Sequence, residues 1–259
     1  QYGQGSNAKA VKSVTITGNV TEIVGSAFSS CSNLTQVTIT AAGITGIGMF
    51  AFQNTTSLTT IEIPASVTTI GENAFAGSGI TSFTVAESNS SFKTDADGKA
   101  LLTYDGKTLF VFAPSATGSY TIPSEVETIG SYSFWNTAIT SLEIPGTVKI
   151  IGDDAFASSA ITSLVIPKSV ETIGKLAFNM SALTSIVIPS SVTSIGYAAF
   201  NMSALTTVTF EGTTAPTIGE GIFANCDNLT GILVPANATG YTGEQASENW
   251  KTWATYIKS

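Results

Sequence analysis

The sequence predicts a repeat solenoid, and three observations predict it. A phenylalanine closes a near-identical segment at Phe28, Phe52, Phe75, Phe134, Phe156, Phe178, Phe200 and Phe223, at steps of 22 to 24 residues apart from the wide gap between Phe75 and Phe134. Five residues before each stands an isoleucine, at Ile23, Ile47, Ile70, Ile129, Ile151, Ile173, Ile195 and Ile218. Strand-like segments end at Ile63-Pro64, Ile122-Pro123, Ile144-Pro145, Ile166-Pro167 and Ile188-Pro189, each leading into Val-x-x-Ile-Gly-x-x-Ala-Phe or a near copy. A unit this short cannot bury its apolar face alone, so stacked units share one core and present an extended surface.

Each element of the unit has a physical reason. Before the proline the apolar residues alternate, as in Ile61 and Ile63, Leu142 and Ile144, Leu164 and Ile166, or Ile186 and Ile188, which places them on one face of a strand. Proline ends the pairing because it has no amide proton to give to a ladder. Val67, Val126, Val148, Val170 and Val192 begin the return stretch toward the isoleucine column. Glycine follows that isoleucine in all copies but the first, where Val24 intervenes before Gly25, and predicts a positive φ or a close backbone approach. The closing phenylalanine supplies the largest apolar burial.

Three residues after each phenylalanine comes a small side chain: Cys31, Thr55, Ser78, Thr137, Ser159, Ser181, Ser203 and Cys226. Cysteine fills two places of this column. About eight coils at roughly 4.8 Å each would separate the two by roughly 40 Å, whereas a disulfide needs Cα atoms within about 7 Å. Both cysteines therefore read as core members, not as a bridge.

Composition narrows the chemistry. Charged residues are 11% of the chain, all ten basic residues are lysine, histidine is absent and the net charge is −8. No imidazole base, Ser-His-Asp arrangement, histidine metal ligand or guanidinium fork can form. The negative balance argues against nucleic acid, whose binding rests on cationic neutralisation of phosphate, and against acidic membrane surfaces. No apolar run reaches the roughly 18 residues of a membrane span. A Ser/Thr-wetted surface suits a secreted or surface protein. The polar segment 1–10, which starts at Gln1, reads as the stretch just after a removed targeting segment; residues 11–235 form the solenoid, and 236–259 a C-terminal cap. There Glu244 to Lys258 predicts an amphipathic helix with Trp250, Trp253, Ala254 and Ile257 on one stripe.

The repeat Leu-Thr-x-Ile-x-Ile-Pro-x-Ser-Val-x-x-Ile-Gly-x-x-Ala-Phe, fullest at Leu183 to Phe200, resembles the BspA-like class of bacterial leucine-rich repeats over nearly the whole chain. The resemblance implies an α/β repeat solenoid, a right-handed leucine-rich-repeat solenoid with a parallel β-sheet on its concave side and short irregular or helical segments on its convex side. It also implies a secreted or surface protein, lipid- or wall-anchored through a segment outside this chain. Adhesion to host or extracellular-matrix proteins is the expected role, with no catalytic residue, cofactor or metal to carry over. A spacer module without a ligand and a glycan-binding module are the alternatives; an N-terminal coil around Val14 and Ile16 with no helix in front of it would favour the spacer.

The first candidate site is a β-hairpin insertion at about 86–119. Asp105-Gly106 suits a two-residue primed turn, which pairs Leu102 with Leu109 and Leu101 with Phe110. One face would carry Leu102, Tyr104, Leu109 and Val111, the other Leu101, Phe110 and Phe112, so one apolar face stays exposed unless both are covered. Tyr132 and Trp135, on the next coil, stand where most copies have small or polar residues; they either receive the hairpin or join it in a contact surface. The second candidate is the concave face, where Thr60 and Glu62, Ser82 and Thr84, Ser141 and Glu143, Ser163 and Val165, Ser185 and Val187, and Thr207 and Thr209 point outward. Its short side chains can meet an extended protein or glycan but include none of the aromatic and arginine anchors that dominate hot spots. Two weaker motifs complete the survey. Asp95-Ala96-Asp97-Gly98 lacks the glycine and glutamate spacing of a calcium loop, and Asp153-Asp154 has no cleft to make it an acid and nucleophile pair.

Overall fold

The computed structural model describes residues 10–259, so the N-terminal polar segment lies outside the described residues apart from Ala10. The chain divides into two compact units, one ending at Thr117 and including Trp135–Ala138, the other formed by Gly118–Phe134 and Ile139–Ser259. Each winds as a β-solenoid. In the first, four-residue strands pair in parallel as Ser13–Ile16 with Gln36–Ile39 and Thr60–Ile63 with Ser82–Val85, and two-residue strands at Glu22–Ile23, Gly46–Ile47 and Thr69–Ile70 form a second parallel ladder. In the second, Ser119–Thr121 pairs with Ser141–Glu143, and Ser185–Ile188, Thr207–Phe210 and Gly231–Leu233 form a parallel sheet. The short ladder there runs unbroken from Thr128–Ile129 through Ile150–Ile151, Thr172–Ile173 and Ser194–Ile195 to Thr217–Ile218.

The repeat residues do what packing requires of them. The isoleucine and phenylalanine columns are buried. In the first unit the rings of Phe28, Phe52 and Phe75 stack at 5.3 and 5.9 Å, and in the second those of Phe134, Phe156, Phe178, Phe200 and Phe223 stack at 5.0 to 5.6 Å. After each Ile-Pro, the valine N–H closes a turn on the proline carbonyl, as in Val148 to Pro145 at 3.2 Å. The hydroxyl before that valine reaches the preceding coil: Thr147, Ser169 and Ser191 donate to the carbonyls of Val126, Val148 and Val170 at 2.7 to 2.8 Å.

The glycine column is explained by close approach, not by positive φ. A Cβ on Gly174 would stand 2.5 Å from the Gly152 carbonyl carbon, and one on Gly196 2.4 Å from the Lys175 nitrogen; neither glycine has a positive φ. The left-handed conformation falls instead two residues before and two after each phenylalanine, on Asp154 and Ser158, Leu176 and Met180, and Ala198 and Met202, for example. Non-glycine residues pay roughly 1–2 kcal/mol there. Inter-coil hydrogen bonds offset it: the N–H groups of Leu176, Phe178 and Met180 reach the carbonyls of Tyr197, Ala199 and Asn201 at 2.7 to 2.9 Å.

Several expectations are corrected. Helix is nearly absent among the described residues, so the architecture is almost entirely β, not α/β. The helix expected over Glu244 to Lys258 is the single turn Glu248–Lys251, followed by a 3-10 segment at Ala254–Tyr256. The chain leaves the helical path because Ile257–Lys258 pairs in parallel with Ile232–Leu233, a tertiary ladder that overrides local propensity. Trp250 is buried and its indole donates to the Pro216 carbonyl at 2.9 Å, whereas Ala254 is exposed. Ser163–Ile166 keeps the alternating burial of a strand, yet no ladder joins it to Ser141–Glu143 or Ser185–Ile188.

Around 92–112 the structure has three antiparallel strands, Phe92–Thr94, Ala100–Thr103 and Thr108–Phe112, the first of which the sequence did not reveal. Leu102 pairs with Leu109 as expected, but a shift between Leu109 and Val111 puts Leu101 opposite Val111 instead of Phe110. The turn is not a primed two-residue one either: Gly106 has φ 78°, Asp105 has no positive φ, and the Gly106 N–H closes on the Thr103 carbonyl at 2.8 Å.

Candidate functional site

Two surfaces carry the candidate residues. At 92–112 the apolar faces are mostly consumed by packing: Leu101, Leu102, Leu109 and Phe112 are buried, Phe112 to 1% exposure, so Phe112 offers no contact surface. Phe110 is half-buried against Phe92, ring centroids 5.3 Å apart. Tyr104, 59% exposed, stands at the turn. Beside it Asp105 accepts from the Thr103 hydroxyl at 2.7 Å and the Lys107 N–H at 3.0 Å, and those bonds hold its carboxyl below the usual range. Trp135 is half-buried in the first unit. Tyr132, in the second, is half-buried with φ 59°.

The second surface is the outward side of the four-residue strands. In the first unit Glu62 is exposed opposite Thr84. In the second, Glu143 is exposed and accepts from the Thr121 hydroxyl at 3.2 Å. Beyond it stand apolar residues whose importance the sequence alone does not convey: Val165, 82% exposed, Val187, 48%, and Leu233, 41%. Valine where strand alternation calls for a polar residue is the available signal. A groove of about 220 Å³ lies here, lined by Ser141, Ser163, Val165, Ser185 and Val187 among others. At the first coil, a larger depression of about 780 Å³ meets Val14, Ile16, Val20, Val24 and Phe28.

The remaining motifs have structural duties. Asp95 turns the chain between Phe92–Thr94 and Ala100–Thr103, its carboxylate accepting from the Ala100 N–H at 3.1 Å. The Asp153 carboxylate accepts from the Lys175 N–H at 2.7 Å. Cys31 and Cys226 are free and buried, and burial pushes both thiols up from their ordinary pKa. The Cys226 thiol donates to the Phe200 carbonyl at 3.0 Å.

Known proteins of similar structure are bacterial surface and repeat proteins. Among curated proteins no sequence match is found. The pneumococcal vaccine antigen PcpA is similar in structure at a TM-score of 0.74 and 25% identity, over 96% of this chain and 66% of that one. A leucine-rich cell surface protein of Faecalibacterium prausnitzii is similar at 0.56 and 24%, over 94% and 62%. A leucine-rich repeat protein of Bacteroides ovatus shares the fold at 0.53 and 22%, over 92% and 70%. The chain thus spans less than two thirds of the first two. Residues 6–97 and 109–248 match the BspA type leucine rich repeat region in six copies. With its isoleucine, glycine and phenylalanine columns stacked as described, the chain belongs to the BspA-type leucine-rich repeat family.

Proposed function

We propose that the chain is a non-catalytic protein-binding module of the bacterial cell surface that adheres to a host or extracellular-matrix protein, with a glycan as the secondary ligand class. One observation carries this reading: the inward columns are nearly constant from coil to coil, whereas the outward side chains on the strands are exposed and change from Glu62 and Thr84 to Val165 and Val187. A scaffold that holds its core fixed and varies one exposed face is built for recognition. The bacterial family to which it belongs and the pneumococcal vaccine antigen to which it is similar support the location. Tyr104, Phe110 and Trp135 of the first unit are further candidate contact residues, as is Tyr132 of the second by itself, and 236–259 acts as a cap through Trp250.

The test is binding of the purified chain to immobilised matrix proteins, plasma proteins and glycans, beside a Tyr104→Ala, Trp135→Ala variant of unchanged melting temperature. The parent is expected to bind at least one protein with micromolar affinity or better. Absence of binding across the panel at tens of micromolar would transfer the role to a spacer.

A further inference from the structure

We propose that the sheet face of the second unit docks an amphipathic α-helix of the partner protein, laid across the strands with its N-terminus toward Glu143 and its C-terminus toward Lys258. This rests on the protein-binding reading and names the partner's chemistry. Strand register aligns Val187, Thr209, Leu233 and Lys258 in one row. The repeat places Val165 and Glu143 in the same row on the preceding coils, and Val165 and Val187 share the groove. The row is therefore an apolar stripe with a carboxylate at one end and an ammonium at the other. Alongside runs a second row, Ser185 and Thr207 in register, with Ser163 before it, whose small side chains let a partner backbone approach; Gly231 continues the row but is buried beneath the Lys258 side chain, whose ammonium donates to the Thr230 carbonyl at 2.8 Å.

Geometry selects the occupant. Strands lie about 4.8 Å apart, so the stripe offers an apolar contact at about that interval. Residues on one face of an α-helix, three or four apart at a 1.5 Å rise, recur about every 4.5 to 6 Å and keep step with it. An extended peptide crossing the strands repeats its face only every ~6.8 Å and slips out of register; laid along a strand, it meets one valine. The stripe has no aromatic side chain on which a sugar ring could stack. Charge fixes direction, because a helix carries partial positive charge at its N-terminus and negative at its C-terminus, the complement of Glu143 and Lys258. Five strand steps span about 24 Å, or about 16 helical residues.

The probe is a fluorescein-labelled 16-residue peptide with leucines at three- and four-residue spacing, lysine in its first turn and glutamate in its last. Anisotropy is measured with the parent, with a Val165→Lys, Val187→Lys variant and with Glu143→Lys. Val165 is mostly exposed, so the double variant should keep the parental melting curve, and Val165→Ser, Val187→Ser is the substitute if it does not. The parent is expected to bind below 100 μM, the double variant at least tenfold more weakly, and a scrambled peptide of the same composition likewise. Glu143→Lys is expected to lose severalfold and to recover when the peptide's first-turn lysine alone is replaced by glutamate. Equal binding of the designed and scrambled peptides, or retained affinity in the double variant, overturns the proposal. So does concentration-dependent dimerisation of the parent that the double variant abolishes, which would assign the stripe to a second copy. Matrix-protein binding that survives in the double variant would leave the adhesive function standing and remove the stripe from it. Peptide binding without any matrix-protein partner would support the stripe and overturn the adhesive reading.

Discussion

The strand faces of the two units share an inside and differ on the outside. In the first unit the outward row reads Thr15, Thr38, Glu62 and Thr84; in the second it reads Thr121, Glu143, Val165, Val187, Thr209, Leu233 and Lys258, with its apolar members in the middle. Below both, the alternate aliphatic residues of the strands are buried, and each unit has its own stack of phenylalanine rings. Inward positions are fixed because an interior packed to crystal density feels each methylene. Outward positions touch solvent and are free to differ, so the apolar stripe of the second unit has no counterpart in the polar row of the first.

The strongest way to break that comparison is to show that the shared core is not shared. Phe52→Ala and Phe178→Ala should each cost about 3–5 kcal/mol in chemical denaturation; a loss below 1 kcal/mol at either would mean that the ring stack is not what holds its unit. Gly174→Ala comes next, at about 1–3 kcal/mol, because its methyl group would meet the backbone of the preceding coil. Gly146→Ala, whose Cβ meets nothing within 4 Å, should stay within about 0.5 kcal/mol and serves as its control.

One contribution belongs to the second unit alone. Burial pushes the Tyr241 phenol from 10.0 up to about 12 while its hydroxyl donates to the Gly212 carbonyl at 3.1 Å. A phenol that holds its proton more tightly when folded contributes stability that is intact below pH 10 and lost as pH rises toward 12, on the order of 2 kcal/mol. Denaturation midpoints at pH 8 and 11.5 should show the loss in the parent and a smaller one in Tyr241→Phe; equal losses would place the pH dependence elsewhere. Smaller again, Met180→Asn should stabilise by up to about 1 kcal/mol, since Met180 is half-exposed at φ 55° and asparagine tolerates that region better. Smallest are Thr38→Val and Val165→Thr, within about 0.5 kcal/mol of the parent by thermal melt. A large change at either would mean that the outward rows carry packing as well as recognition.

The columns of the repeat are legible because the same residue stands at the same offset each time and only burial explains an isoleucine that never varies. The left-handed turns are not, although the second of their two positions hints at them, with Asn54, Gly77, Asn136, Ser158 and Asn225 beside Met180 and Met202. The glycine nearby suggests a positive φ when it serves close packing, and spacing alone does not distinguish the two. Register at 100–112 escapes for another reason: the shift between Leu109 and Val111 is a local irregularity, and a one-residue slip moves every later side chain to the other face. The stripe is half visible. Alternation puts Val165 and Val187 on the outward row, but their exposure and their alignment with Leu233 and Lys258 exist only once the strands are stacked.

The ring stack has a consequence for how such a chain can change in length. Phe156, Phe178 and Phe200 stack at 5.3 and 5.2 Å with nearly parallel planes, 8° and 1° apart, so consecutive coils present almost interchangeable surfaces. Excision of one whole coil between Phe156 and Phe178 would bring equivalent surfaces together, while removal of half a coil would leave strands without partners. Gain or loss of a whole coil would therefore keep every ladder paired and change the length of its unit by about 4.8 Å, whereas extra residues short of a coil must leave the stack, as the antiparallel strands at 92–112 do.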